Sequence, residues 1–282
     1  MRRRILREIL AELGLPENAA PASFDVIGDI LVLRPPHGWG EVPSYYKQVA
    51  EKLLEKLPYI KTVVAAVTPV TGMYRTRRIV HLAGERKTRT IYREHGCIFL
   101  VDVENTYISP RLSYEHMRIA KQTLPGEVIV NMFAGVGGFS IIIGKHGKAE
   151  KIYSIDINPV AVELLRENVK LNRLEGKVIP IEGDARNVIR YMLKGCAHRV
   201  LMPLPSMDPS FYKAAVEALI DNKGLIHAYE FVVTKNDPVS TAYTAVRNML
   251  ENLGCKCKLL KGRIVRSVGP RKYQVVLDLK IT

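Results

Sequence analysis

The sequence predicts an α/β protein, a doubly wound and mostly parallel sheet preceded by a smaller α+β unit. Two observations carry this. From residue 112 onward, short apolar runs alternate with helical segments, which is the grammar of βαβ units. Before that point the strands crowd together with only two helices among them, and one pair is joined by His95-Gly96, a hairpin turn. The change of grammar places the boundary at Ser109-Pro110-Arg111, giving domains of residues 1–111 and 112–282.

The elements follow in order. A helix over 2–15 carries Ile5, Ile9 and Leu10 on one face and stops at Gly14-Leu15-Pro16. Residues 24–33 read as two short strands hinged at Gly28, and Pro35-Pro36 ends them. Val49, Leu53, Leu54 and Leu57 recur at helical spacing, so 45–57 is an amphipathic helix. Strands are expected over 63–67, 79–82, 88–93 and 97–103. The second part reads helix 112–122, strand 127–133, helix 137–145, strand 152–157, helix 159–171, strand 178–182, helix 185–193, strand 199–204, helix 209–221, strand 225–232 and helix 239–253. Two last strands, 256–265 and 273–280, form an antiparallel pair on the sheet edge.

Composition narrows the function. The 282 residues carry 42 Lys and Arg against 28 Asp and Glu, a formal charge of +14, which points to an acidic partner, nucleic acid first among them. Residues 75–93 hold Arg75, Arg77, Arg78, Arg86, Lys87, Arg89 and Arg93 against Glu85 alone, and 256–272 hold seven basic residues and no acid. Both clusters are expected to contact phosphates, with Trp39, Tyr45, Tyr46 and Tyr74 available to stack on unpaired bases. No apolar run is long enough to span a membrane, the N-terminus does not read as a secretory signal, and four cysteines without a metal-binding spacing suggest a reduced, cytoplasmic protein without a metal site.

The chemistry is carried by three short elements. Val128 to Ser140 runs strand, glycine turn, helix, and Gly135 and Gly137 would let the backbone approach a ligand. Some twenty positions later Ile155-Asp156 ends the next strand, where a carboxylate can bond a ribose diol. Glu182-Gly-Asp184-Ala-Arg186 follows the third strand, with Asp184 readable as a helix cap or as a nucleotide-binding acid. Position 140 is Ser, so the dinucleotide fingerprint is incomplete. With no catalytic His or Tyr-Lys pair to be found, a dinucleotide-dependent oxidoreductase is disfavoured.

Tyr107-Ile-Ser-Pro-Arg-Leu-Ser-Tyr-Glu115, Asn131-Met-Phe-Ala-Gly-Val-Gly-Gly-Phe-Ser140, Ile155-Asp-Ile-Asn-Pro159 and Arg263-x3-Ser267-x2-Pro270 resemble the archaeal and eukaryotic tRNA (guanine-37 N1)-methyltransferases and their relatives in wyosine biosynthesis. The resemblance implies a class I, Rossmann-like sheet, S-adenosyl-L-methionine as cofactor, and tRNA as partner, engaged at position 37 of the anticodon loop; a monomer is the expected form, though the sequence does not give the oligomeric state. It also implies a version without the family's extra N-terminal tRNA-corner domain. For the cofactor it implies Tyr107, Arg111, Phe133, Ala134, Gly135, Gly137, Asp156, Ile157, Asp184, Ala185, Pro203 and Pro205. Arg75 would stabilise charge on the guanine O6, and Glu115 would be the general base for N1. The departure lies in Met202-Pro203-Leu204-Pro205, where the family carries Asn-Leu-Pro. Pro203 has neither a side-chain amide nor a backbone N–H, so this catalytic position has lost its hydrogen bonds. Either the proline merely shapes the loop, or the target is widened or altered, for example to the tricyclic precursor 4-demethylwyosine methylated at C7, alone or together with guanine. Two further readings stay open: an aminocarboxypropyltransferase on tRNA, and a tRNA-binding protein of the same fold without turnover.

Overall fold

The computed structural model describes residues 2–35, 40–205 and 208–282, with side chains from Arg4 onward. Trp39 therefore lies outside the described residues. The chain divides into two compact units, Met1–Pro110 and Arg111–Thr282.

The first unit begins with α1 (Arg2–Glu12), which ends where Gly14 takes a left-handed φ of 66°. Strands β1 (Ser23–Ile27) and β2 (Ile30–Arg34) pair antiparallel across Gly28, as the glycine hinge predicts. A Cβ at Gly28 would stand 2.3 Å from Thr90 Oγ1, so this turn also requires glycine for close packing. Helix α2 (Tyr46–Lys56) then crosses over to β3 (Thr62–Ala66), which runs parallel to β2, and β4 (Ile79–Gly84) closes the sheet in the order β1-β2-β3-β4. The core joins Ile9 and Leu10 of α1 to Val49 and Leu53 of α2 and to Leu31, Leu33 and Val63 of the sheet. Strands β5 (Arg89–Glu94) and β6 (Cys97–Asp102) form the expected hairpin, with His95 and Gly96 both at positive φ, the two-residue turn that matches strand twist.

The second unit opens with α3 (Ser113–Ala120) and continues β7 (Val128–Asn131), α4 (Gly138–His146), β8 (Lys151–Asp156), α5 (Pro159–Leu171), β9 (Val178–Glu182) and α6 (Ala185–Val188). It ends with β10 (Arg199–Met202), α7 (Pro209–Ala218), β11 (Gly224–Val233), α8 (Pro238–Asn252), β12 (Cys257–Gly269) and β13 (Lys272–Ile281). The sheet order is β12-β13-β11-β10-β7-β8-β9, parallel from β11 to β9 and antiparallel at the β12–β13 edge. The order in which the chain adds strands reverses between β7 and β10, the switch point where such sheets bind ligands. The helix expected over 185–193 instead widens to a π-turn from Ile189 to Leu193.

Local chemistry sets the helix starts at this end of the sheet. Asn158, Asp184, Asp208 and Asp237 each accept a backbone amide of their own helix, and Pro159, Pro209 and Pro238 occupy first-turn positions. Each cap contributes about 1 kcal/mol. Behind them the core packs Val130, Ile155, Val200, Ile226 and Leu277 of the strands against Ile189, Ala215 and Val246 of the helices.

Candidate active site

Because β7 to β11 are parallel, the residues following each strand gather at one end of the sheet. Phe133, Ala134 and Gly135 follow β7, Asp156 closes β8 with Ile157 next, Asp184 and Ala185 follow β9, and Pro203 to Pro205 follow β10. Their backbones are stitched together: Met132 N donates to Leu201 O (3.0 Å), Ala134 N to Ile155 O (2.8 Å) and Gly183 N to Asp156 O (2.9 Å).

Asp156 organises this edge. Its Oδ2 accepts from Gly135 N at 2.6 Å and its Oδ1 from Asn158 N at 2.9 Å. Burial pushes the carboxyl above its usual range, against the pull of these amides. The Ile157 amide adds a third backbone bond to the same carboxylate. Asn131 accepts from Phe133 N (3.3 Å) and donates to Ser140 Oγ (3.1 Å), an uncharged tie between strand and helix. Gly135 has a φ of 54°, in the left-handed region that favours glycine. At Gly137 (φ 102°) a Cβ would meet Leu165 Cδ1 at 2.5 Å, so its bareness serves helix packing inside the protein.

Asp184 fills the capping role, one of the two readings the sequence left open. It caps α6, and its carboxylate also holds Arg186 through Nε (3.0 Å) and Nη2 (2.6 Å), which together keep the carboxyl below the usual range. Arg186 in turn lies over the Phe211 ring at 4.4 Å, and Phe211 meets Phe133 edge-on at 5.2 Å. Arg186 and Phe211 thus wall the same edge, and nothing in their local sequence announced it.

Glu115, on α3, is buried, its side chain 1% exposed. Its Oε2 accepts from Arg118 Nε (2.9 Å) and Tyr229 Oη (2.8 Å), and its Oε1 is capped by Arg263 Nη1. Arg263, expected to face RNA, instead spans Glu115 and the exposed Tyr114 ring, 4.4 Å below it. Lys87, counted with the first basic cluster, is likewise spent internally on Asp29 and Glu85.

Behind Glu115 a buried polar chain continues. Arg118 forks onto Asp278 (2.6 and 3.1 Å), Asp278 Oδ1 faces His227 Nδ1 (2.6 Å), His227 Nε2 faces Arg199 Nη1 (2.6 Å), and Arg199 forks onto Glu127 (3.1 and 2.8 Å). A guanidinium only donates, so Nε2 is an acceptor and the imidazole is neutral with its proton on Nδ1. Burial holds His227 below the usual imidazole range. Burial acts upward on Asp278, but its bonds from His227 and Arg118 outweigh it and hold the carboxyl well below the usual range.

The other predicted residues lie in the first unit or at its border. Arg75 sits at φ 52° in a turn closed by its own N–H to Gly72 O (3.2 Å) and by the Thr71–Thr76 bridge. Tyr74 in that turn is exposed. Tyr46, expected to stack on bases, is fully buried in the first unit's core, and Tyr45 packs on it edge-on at 5.3 Å. Tyr107 belongs to the first unit, and Arg111 opens the second.

Comparison with known families decides the assignment. Residues 90–260 match the TRM5/TYW2 methyltransferase domain, and residues 6–88 match the TYW2 N-terminal domain. The chain belongs to the TRM5/TYW2 methyltransferase family. Among TRM5/TYW2 relatives, the tRNA (guanine(37)-N(1))-methyltransferase Trm5b of Pyrococcus abyssi is 37% identical over 93% of this chain and 76% of its own. The tRNA 4-demethylwyosine(37)-methyltransferase Taw21 of Saccharolobus solfataricus is 38% identical over 91% of this chain and 93% of its own. A solved complex of aTrm5 with tRNALeu superposes with a TM-score of 0.84 at 37% identity, covering 100% of this chain and 79% of that one. Other TRM5/TYW2 structures hold adenosine or S-adenosylmethionine itself. No helix among the described residues is long and apolar enough to cross a membrane.

Proposed function

We propose that this chain transfers the methyl group of S-adenosylmethionine to the purine at position 37 of tRNA, acting as a cytoplasmic monomer on the anticodon loop. The observation that carries the proposal is the cradle at the switch point. There a positive-φ glycine and the Asp156 carboxylate sit at the end of the sheet where folds of this kind bind their ligands. When bound, S-adenosylmethionine supplies an electrophilic methyl on a sulfonium sulfur. Asp156 would hold the ribose diol, and Asp184, Ala185 and Phe133 would flank the adenine.

The target base must leave the loop stack to reach this edge. During methyl transfer Glu115 would take the N1 proton, and Arg75 would offset charge building on O6. Glu115 Oε1 is covered by Arg263, so the guanidinium must first move, and an RNA phosphate is a matching new partner. With Arg263 gone, the buried chain holds the carboxylates of Glu115, Asp278 and Glu127 against the two guanidiniums of Arg118 and Arg199. The transferred proton cancels the excess negative charge.

Pro203 favours a second substrate. With no amide to offer, this position cannot read the guanine edge as asparagine can, and a tricyclic base methylated at carbon needs fewer such contacts. Pro203→Asn, measured on guanine-37 and 4-demethylwyosine-37 tRNAs, should shift preference toward guanine, and an unchanged ratio would make the proline purely structural. The proposal as a whole is tested by digesting tRNA to nucleosides after incubation with the cofactor. A methylated position-37 nucleoside supports it. A 3-amino-3-carboxypropyl adduct, or no adduct, overturns it.

A further inference from the structure

Glu115 is held by a chain of buried groups. Arg118 has one edge for each partner: its Nε bonds Glu115, and its two terminal nitrogens fork onto Asp278. The fork fixes the guanidinium plane, and the plane fixes where Nε points. Asp278 is fixed in its turn. It sits on β13 directly across from His227 on β11, and His227 Nδ1–H donates to the same Oδ1 that receives Arg118 Nη2. Tyr229, two residues along β11 and therefore on the same face as His227, bonds the other side of Glu115 Oε2. Both supports converge on Oε2 and leave Oε1, under Arg263, as the oxygen that can exchange its partner.

We propose that Asp278 and His227 are positioning residues for methyl transfer: through Arg118 they pin Glu115 by Oε2 and present Oε1 to the target base. The neutral imidazole orients Asp278 without adding charge to a chain whose excess must sit at Glu115. The inference rests on Glu115 being the base, and the test separates the two.

The experiment is a double-mutant cycle on the full-length protein, read as the single-turnover rate at saturating tRNA and cofactor, with the tRNA KM alongside. The variants are Glu115→Gln, Asp278→Asn and their combination, each normalised to the fraction that binds S-adenosylmethionine. We expect Asp278→Asn to slow transfer by about tenfold or more with KM unchanged, and to cause no further loss in the Glu115→Gln background, because residues acting as one unit are non-additive. His227→Leu removes the neutral link without changing net charge and is run in the same cycle, so the test survives if Asp278→Asn fails to fold. Additive losses, a change confined to KM, a wild-type rate in both single variants, or loss of cofactor binding in both would assign the chain to the fold and overturn the proposal. A wild-type rate in Glu115→Gln alone would instead remove Glu115 as the base.

Discussion

His227 and Asp278 are cross-strand partners whose facing atoms, Nδ1 and Oδ1, lie 2.6 Å apart in a site where the imidazole is 1% exposed. The groups around the ring are Asp278 on one nitrogen, Arg199 on the other, and Arg118 beyond the carboxylate. Protonating the ring would set a third cation between two guanidiniums.

This arrangement predicts acid sensitivity. The folded protein keeps His227 neutral at a pH where the unfolded chain would protonate it, so the unfolded state binds more protons. Stability should be full above about pH 6.5 and fall as the pH drops through that value. Asp278, held low in the fold, should add a second loss below about pH 4 as the unfolded carboxylate protonates. Melting temperatures measured against pH check this. His227→Gln should flatten the first step and leave the second, and an unchanged first step would show that another group causes it.

The cofactor edge gives a second prediction. Asp156→Asn keeps the shape but removes the charge that accepts from Gly135 N and Asn158 N and would bind a ribose diol. Charged hydrogen bonds contribute about 1.5–3 kcal/mol, so the S-adenosylmethionine Kd should rise by about ten- to hundredfold. Calorimetric titration reads it directly. An unchanged Kd would mean that the diol is held elsewhere.

Gly137→Ala is predicted to destabilise the protein. The added methyl would stand 2.5 Å from Leu165 Cδ1 and 2.9 Å from Ile141 Cγ1, at a φ of 102° that L residues avoid. The expected loss is about 1–3 kcal/mol, from overpacking together with strained backbone. Denaturant unfolding should show a lower midpoint, and a wild-type midpoint would mean that α4 and α5 shift freely.

Most of the fold was legible because it is written locally. His95-Gly96, Asn158-Pro159 and the alternation after residue 112 each specify their own few residues. The glycine loop and Asp156 were legible for the same reason. The buried chain was not, since Arg118 and Asp278 are 160 residues apart and only the sheet brings them together. A signal existed: Arg199 opens an apolar strand, and His227 and Asp278 each interrupt one. Charge in a buried strand needs a partner, but sequence alone does not say which. The contact of Arg263 with Glu115 was not legible either, since the two lie 148 residues apart.

The central claim is tested most directly by incubating the protein with methyl-labelled S-adenosylmethionine and three tRNAs, bearing guanine, 4-demethylwyosine or adenine at position 37. Label should enter the guanine or the 4-demethylwyosine tRNA, and the adenine transcript should stay unlabelled. Label in neither of the first two, or equal label in the adenine transcript, would contradict it.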